Sequence, residues 1–326
     1  MAAGRKGKNG LIAGMLMCMC VLFSGCGQTP LLSQREIVHA VFFQKDGEEN
    51  TALLLLADQP KEQEGETAGY KTAVGVGQTP AQALEQAERS LDGQVFYGLM
   101  DMAVLPLEGD WQSTIELGRL LYEKAQPAPQ ITLFLMENRP QQELTEEVAA
   151  LYEGMENAIN KYGLCNGLQL MFSAQNECAL PVWQGTEYGF AFLQKDRPNT
   201  VLKDTLPAQM AAVLCGQVNR IDCCFSQGTA SVQGKAMVQH RVQEQGNAEL
   251  YLTLDAPDLQ ELGITRRSEE QLEQILREEL GQAFEQITTD CCVPGFDPLR
   301  MGVWVWAARG QTEELPPLSL EVSFEL

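Results

Sequence analysis

The chain has 326 residues, of which 23 are basic and 44 are acidic, and its formal net charge is −21 at pH 7. A surface with this excess of negative charge is repelled by nucleic acid, which excludes a nucleic-acid partner, and also by anionic lipid. Hydrophobic residues make up 44% of the chain, and its length is enough for two or three domains with their own cores.

The first 26 residues have the composition of a secretion signal. A basic head at residues 5–8 is followed by an apolar run at residues 11–23, which is shorter than the roughly 20 residues that a membrane-spanning helix needs. Ser24-Gly25 and then Cys26 resemble a lipobox, which predicts a signal peptide at 1–25, cleavage before Cys26 and a diacylglyceryl group on its sulfur. Phe23 stands where lipoboxes usually have Leu. An ordinary signal peptide and a short signal anchor are the alternatives.

The ten cysteines do not predict a disulfide framework or a metal site. Two leave with the signal and Cys26 takes the lipid, so an odd number of seven remains. The adjacent pairs Cys223-Cys224 and Cys291-Cys292 lack the spacing of two to four residues that structural zinc sites use. Neighbouring residues in a strand also point to opposite faces. We therefore predict small buried hydrophobic side chains at positions 165, 178, 215, 223, 224, 291 and 292.

The first half of the mature chain predicts alternating strands and helices. Apolar runs at 37–43 and 51–57 flank an Asp46-Gly47 turn and predict a β-hairpin, and a polar loop at 59–67 follows. Thr79-Pro80 predicts the start of a helix. The remaining predictions are strands at 70–75, 95–105 and 131–136, with a second helix around residues 115–121. This order favours an α/β layer with parallel strand pairs.

The second half predicts a mixed region that ends in antiparallel strands and one long amphipathic helix. That helix has Ser268 as its cap and Gln271 in capping-box position, and residues 318–326 alternate as a half-buried strand does. The other predictions are helices at 145–162 and 207–214 and strands near 169–172, 187–193, 231–239 and 248–254. The fold class is therefore α+β with mixed α/β sheets, divided into domains at 26–136, 137–198 and 199–326.

The sequence offers no set of catalytic residues. His39 lies in an apolar strand and His240 at a strand end, where structural or solvated roles are expected. The paired acidic residues are expected on solvent-exposed surfaces and not facing each other across a glycosidase cleft. The loop at 74–80 has Pro80 where a dinucleotide-binding loop has its third glycine, which makes it a weak candidate for a phosphate site. Trp304 and Trp306 are two residues apart, which predicts one strand face covering a core. We predict no catalytic residue, cofactor or metal.

The order of segments resembles the C subunit of GerA-type spore germinant receptors, the Ger(x)C lipoprotein family. The similar segments, in family order after the lipobox, are 35–37, 45–47, 77–84, 95–98, 102–105, Pro181, 188–196, the amphipathic helix, Asp290, 295–297, Trp304 and the final strand. They cover nearly the whole mature chain, although each motif is weak by itself.

The resemblance implies a non-enzymatic subunit of three α/β-type domains, with 199–326 as the C-terminal domain typical of the family. It implies attachment through lipid to the outer face of the inner spore membrane, beside two integral membrane subunits of the A and B types. Only Cys26 then has a defined chemical role. A solute-binding lipoprotein of a transporter and a cell-wall hydrolase are the alternative functions.

Overall fold

The computed structural model describes residues 35–58, 69–125, 131–137, 145–164, 166–167, 177–185, 188–195, 197–242, 247–264, 266–292, 297–310 and 315–325. The predicted signal peptide and Cys26 lie outside these ranges. So do Cys165, the polar loop at 59–67, the strand near 169–172 and the motif residues 295–296.

One large sheet occupies the first two-thirds of the described chain. Its nine strands follow the order β3-β2-β1-β5-β6-β7-β8-β9, with β4 beside the start of β1. The elements of this part are β1 (Arg35–Asp46), β2 (Glu49–Asp58), β3 (Gly69–Gly77), α1 (Pro80–Arg89), β4 (Gln94–Phe96), β5 (Met102–Pro106), α2 (Trp111–Ala125), β6 (Thr132–Met136), α3 (Thr145–Tyr162), β7 (Glu177–Trp183), β8 (Tyr188–Gln194) and β9 (Thr200–Leu202).

The centre of this sheet is parallel and its two sides are antiparallel. Strands β1, β5, β6 and β7 run in the same direction, whereas β2 and β3 on one side and β8 and β9 on the other continue by antiparallel pairing. The predicted hairpin and the predicted parallel pairing are both confirmed. The expected domain boundary between residues 136 and 137 lies between β6 and β7, which pair directly through Leu135 and Val182.

Both faces of the large sheet are buried. Phe42 and Phe43 are neighbours in β1 but belong to different hydrophobic clusters, because successive side chains in a strand point to opposite faces. The cluster that contains Phe43 packs under α1 and α2. The cluster that contains Phe42 packs against α3 and continues without interruption into the C-terminal part.

A second sheet forms the C-terminal part, with the order β10-β11-β12-β13. Its first three strands are antiparallel, and β13 joins β12 in parallel, so the predicted antiparallel region is confirmed except for its last strand. The elements are α4 (Thr205–Leu214), β10 (Arg220–Phe225), β11 (Ala230–Val242), β12 (Ala248–Glu261), α5 (Glu269–Cys291), α6 (Met301–Arg309) and β13 (Leu318–Glu325).

The caps predicted for two helices are present. Thr79 accepts the N–H of Gln82 at the start of α1. Ser268 and Gln271 form a reciprocal capping box at the start of α5. The apolar stripe of α5 is buried against the second sheet, at Leu272, Leu276, Leu280, Phe284 and Ile287. The α+β fold class is confirmed.

Two predicted strands are wrong. The run at 95–105 is broken into β4 and β5 by a turn in which the N–H of Met100 donates to the Tyr97 carbonyl (2.9 Å). Trp304 and Trp306 lie on the helix α6, and both are exposed instead of covering a core. The helix is favoured because Asp297 accepts its first N–H groups and Gly310 ends it in the left-handed conformation.

Candidate functional site

The parallel strands give the large sheet two distinct edges. We call the edge at which β1, β5, β6 and β7 begin the amino edge, and the opposite one the carboxyl edge. β1 starts at Arg35, so the chain that follows the predicted lipid site at Cys26 enters the fold at the amino edge. Cys26 itself lies outside the described residues.

An aromatic and acidic cluster lies near the amino edge. The rings of His39, Tyr70 and Tyr152 are 5.6 to 5.8 Å apart between centroids, and the hydroxyl of Tyr152 donates to Oδ2 of Asp101 (2.9 Å). Burial raises the pKa of Asp101, although this hydrogen bond opposes the rise, and burial also raises the pKa of Tyr152. His39 thus packs as a ring between two tyrosines, as expected of a structural histidine.

A cleft of about 530 Å³ opens at the carboxyl edge. It lies between the β1–β2 turn, the start of α1 and the loop from β5 to α2, and Lys45, Thr79, Glu108, Asp110 and Glu116 line it. Two backbone donors at this cleft are already used, because Thr79 and Asp110 accept the N–H groups of Gln82 and Ser113. The hydrogen bonds from Ser113 also lower the pKa of Asp110.

Helix α6 carries the largest group of exposed apolar side chains among the described residues. Val303 is 64% exposed, Trp304 46% and Trp306 60%, whereas Met301 and Val305 on the other side of the helix are buried. The exposed side of α6 is completed by Ala307 and Ala308. The fold buries only one side of this helix, and its other side is an apolar surface that the described chain leaves largely exposed.

Two contacts hold α6 in a fixed orientation. The imidazole of His240 in β11 stacks on the Trp304 indole, with 4.6 Å between centroids and 7° between planes, and burial lowers the pKa of His240. Asp297 accepts the N–H groups of Met301 (2.8 Å) and Gly302 (2.5 Å). Burial raises the pKa of Asp297, although these bonds oppose the rise.

The adjacent cysteines Cys223 and Cys224 lie on opposite faces of β10. Cys223 is buried as predicted, but Cys224 is exposed, so the predicted burial is wrong at position 224, because neighbouring side chains in a strand point to opposite faces. Cys178 is buried, which raises the pKa of its thiol to about 12. Within the described ranges, no three side chains of the His, Cys, Asp and Glu types are placed to hold a metal ion.

Sequence reasoning missed the exposed face of α6. A signal for it was present, because no charged residue occurs between Arg300 and Arg309 and Gly310 follows directly, which is typical of a helix end. None of the described helices combines the length and the apolar character needed to cross a bilayer.

Comparison with known proteins gives similarities in structure alone. No protein-family model matches the chain, and no curated protein matches it. A solved structure titled "Crystal Structure of the GerBC protein" is similar over 87% of this chain and 96% of that chain, with a TM-score of 0.41 and 10% sequence identity.

Proposed function

We propose that this protein is a lipid-anchored, non-catalytic subunit of a spore nutrient-germinant receptor. It acts in germination through contacts with two integral membrane subunits, on the extracytoplasmic face of the inner spore membrane. The observation that carries the proposal is the order of family-like segments along the sequence, from the lipobox at Cys26 to the final strand.

The position of the tether supports this arrangement. Nine residue steps separate Cys26 from Arg35, and even a fully extended chain spans at most about 3.6 Å for each of them, or roughly 30 Å in all. A diacylglyceryl group at Cys26 therefore keeps the amino edge of the large sheet close to the membrane. Two acyl chains give stable anchoring, whereas the net charge of −21 gives no attraction to anionic lipid.

The solute-binding alternative has less support. Solute-binding proteins usually hold a ligand between two lobes, whereas the residues that line the cleft at the carboxyl edge all fall between positions 43 and 117, within the N-terminal part of the large sheet and its helices. The proposal is therefore a receptor subunit that works by protein contact.

Germination of spores tests this proposal. Spores with the gene disrupted, spores with Cys26→Ala and wild-type spores are exposed to a panel of nutrients, and loss of refractility is followed. A non-nutrient germination trigger serves as the control for general spore damage. We expect that both mutants fail with at least one nutrient and respond normally to the control trigger. An unchanged nutrient response of the disrupted strain would rule out the receptor role.

A further inference from the structure

Helix α6 is unusual in two ways: its outward side is apolar, and the segment around it has no acidic residue. Residues 298–310 contain two arginines and no acidic residue, in a chain whose net charge is −21. Surface helices of soluble proteins normally direct polar side chains outward. Here the outward side consists of Val303, Trp304, Trp306 and two alanines, and the charged residues stand only at the two ends of the helix.

Two hydrogen bonds place the start of α6 at the amino edge of the large sheet. The side-chain amide of Gln217 donates to the carbonyl of Ala179, close to the beginning of β7. The thiol of Cys215 donates to the carbonyl of Pro298 (3.5 Å), two residues before the cap of α6. Since β7 is parallel to its neighbour β6, its beginning lies at the same edge as the beginning of β1.

Two further exposed apolar side chains lie at this edge. Leu99, which is 52% exposed, belongs to the turn that precedes β5, and Tyr122, which is 44% exposed, lies near the end of α2, before β6 begins. The exposed apolar residues Met237, Leu262 and Ile264 belong instead to β11 and to the segment after β12. The amino edge thus combines the entry of the tether with α6, Leu99 and Tyr122.

We infer that α6 is an interfacial helix whose Val303, Trp304 and Trp306 face lies in the headgroup region of the bilayer that holds the Cys26 lipid. The inference rests on the proposed anchoring, because the tether brings this edge within roughly 30 Å of the bilayer. Tryptophan is enriched where membrane and water meet, since its ring is apolar and its N–H remains hydrated. At 1.5 Å per residue, the nine-residue helix is about 14 Å long and lies flat on the surface.

The bilayer fits this face better than a protein partner does. A lipid surface needs no matching hydrogen-bond pattern, and the exposed face of α6 offers only the two indole N–H groups as side-chain donors. The bilayer contact also fixes the orientation in which the subunit meets its membrane partners.

Tryptophan quenching by brominated lipid tests the inference. The full-length lipidated protein is reconstituted into vesicles of phosphatidylcholine and phosphatidylglycerol, with or without bromine on the acyl chains. Of the four tryptophans, Trp304 and Trp306 lie on α6, Trp183 is buried, and Trp111 begins α2 at the carboxyl edge. Only the two α6 indoles can then meet the bromines.

Two complementary variants distinguish these tryptophans. We expect Trp304→Phe/Trp306→Phe to lose the bromine-dependent quenching of the wild type. Trp111→Phe/Trp183→Phe keeps only the α6 reporters, so the quenched fraction of its emission should rise above that of the wild type. This second variant still reports on the contact should the first one misfold.

Three results would overturn the inference: no quenching in the wild type, equal quenching in Trp304→Phe/Trp306→Phe, or a protein adduct in place of a lipid adduct when a photo-crosslinker at position 303 is activated in native membranes. Any of them, obtained with lipid present on Cys26 and with normal germination, removes the bilayer contact and leaves the proposed receptor function intact. Absence of lipid on Cys26 would instead count against the proposed anchoring.

Discussion

Helices α1 and α6 have nearly the same length but use their apolar residues differently. In α1 the apolar residues Ala83, Leu84 and Ala87 are buried, and the exposed side is mostly polar. In α6 only Met301 and Val305 are buried, and both tryptophans are exposed. The apolar content of α1 is therefore explained by folding, whereas α6 has more apolar surface than folding uses. A surplus of this kind marks a surface that contacts something outside the chain.

The largest loss of stability is expected from a substitution that disrupts the close packing of α1 on β3. A Cβ atom at Gly75 of β3 would lie 2.1 Å from the Ala83 carbonyl oxygen and 2.2 Å from the Ala87 nitrogen. Both are backbone atoms, so the whole helix has to shift. We expect Gly75→Ala to lower the free energy of unfolding by more than about 3 kcal/mol, above the usual cost of overpacking. Urea unfolding followed by circular dichroism measures it.

The matched control is Gly281→Ala in α5, where a Cβ meets nothing within 4 Å. Replacing glycine inside a helix stabilises it by up to about 1 kcal/mol. Equal effects of the two substitutions would show that α1 does not pack on β3 in this way.

The next prediction compares one substitution in α1 with one in α6. Leu84 is fully buried, so Leu84→Ala should cost about 3 kcal/mol of unfolding free energy through lost burial and the cavity left behind. Trp306 is 60% exposed, and Trp306→Ala should change the same quantity by less than about 0.5 kcal/mol. A large loss of stability in Trp306→Ala would mean that the outer face of α6 serves the fold after all.

A smaller effect is expected at the cap of α6. Asp297→Ala removes the acceptor for the N–H groups of Met301 and Gly302, which should cost about 1 kcal/mol. Asp290→Ala, at an exposed position late in α5, is the control and should leave stability unchanged. Thermal unfolding of both variants beside the wild type measures the difference.

The same carboxyl predicts a pH dependence. Because burial raises the pKa of Asp297 in the folded state, the folded protein holds this proton more tightly than the unfolded chain does. Its contribution to stability is fully present below the ordinary carboxyl pKa and is lost as the pH rises through the raised value. The unfolding midpoint of the wild type should therefore rise relative to that of Asp297→Asn as the pH falls through the raised value. A constant difference at every pH contradicts the assigned shift.

The smallest expected effect is a difference in the alkylation rates of two cysteine thiols, measured without disturbing the fold. Cys224 is exposed, whereas Cys178 is buried with a pKa of about 12, so little thiolate is present at Cys178 near neutral pH. We expect iodoacetamide to modify Cys224 quickly and Cys178 only after unfolding, as read by peptide mass spectrometry. Cys224→Ser is the control that should remove the fast reaction. Rapid modification of Cys178 in the native protein would contradict its placement in the core.

Local signals in the sequence predicted the long elements well. Helix α3 has the predicted bounds of 145–162, because its apolar spacing is regular over several turns. The capping box at Ser268 predicted the start of α5, because it too involves only residues close together in the sequence. The hairpin of β1 and β2 followed from Asp46-Gly47, where Gly47 has the expected positive φ of 60°.

Elements that depend on distant partners were not predicted. Strand β7 contains Pro181 and β9 has only three residues, so both are defined by pairing with β6 and β8 and not by propensity. Alternation of Val and Trp in residues 303–306 favoured a strand, but Asp297 and Gly310 make the segment a helix. The location of α6 at the amino edge depends on contacts of Gln217 and Cys215 with distant residues, which no sequence pattern encodes.

The most direct test of the account is the chemical state of Cys26. The protein is isolated from the membrane fraction, and its amino-terminal peptide is analysed by mass spectrometry. The account predicts that the mature chain begins at Cys26 and that its sulfur carries a diacylglyceryl group. A membrane-bound chain that still begins with its first 25 residues, or that has an unmodified thiol at Cys26, would contradict it.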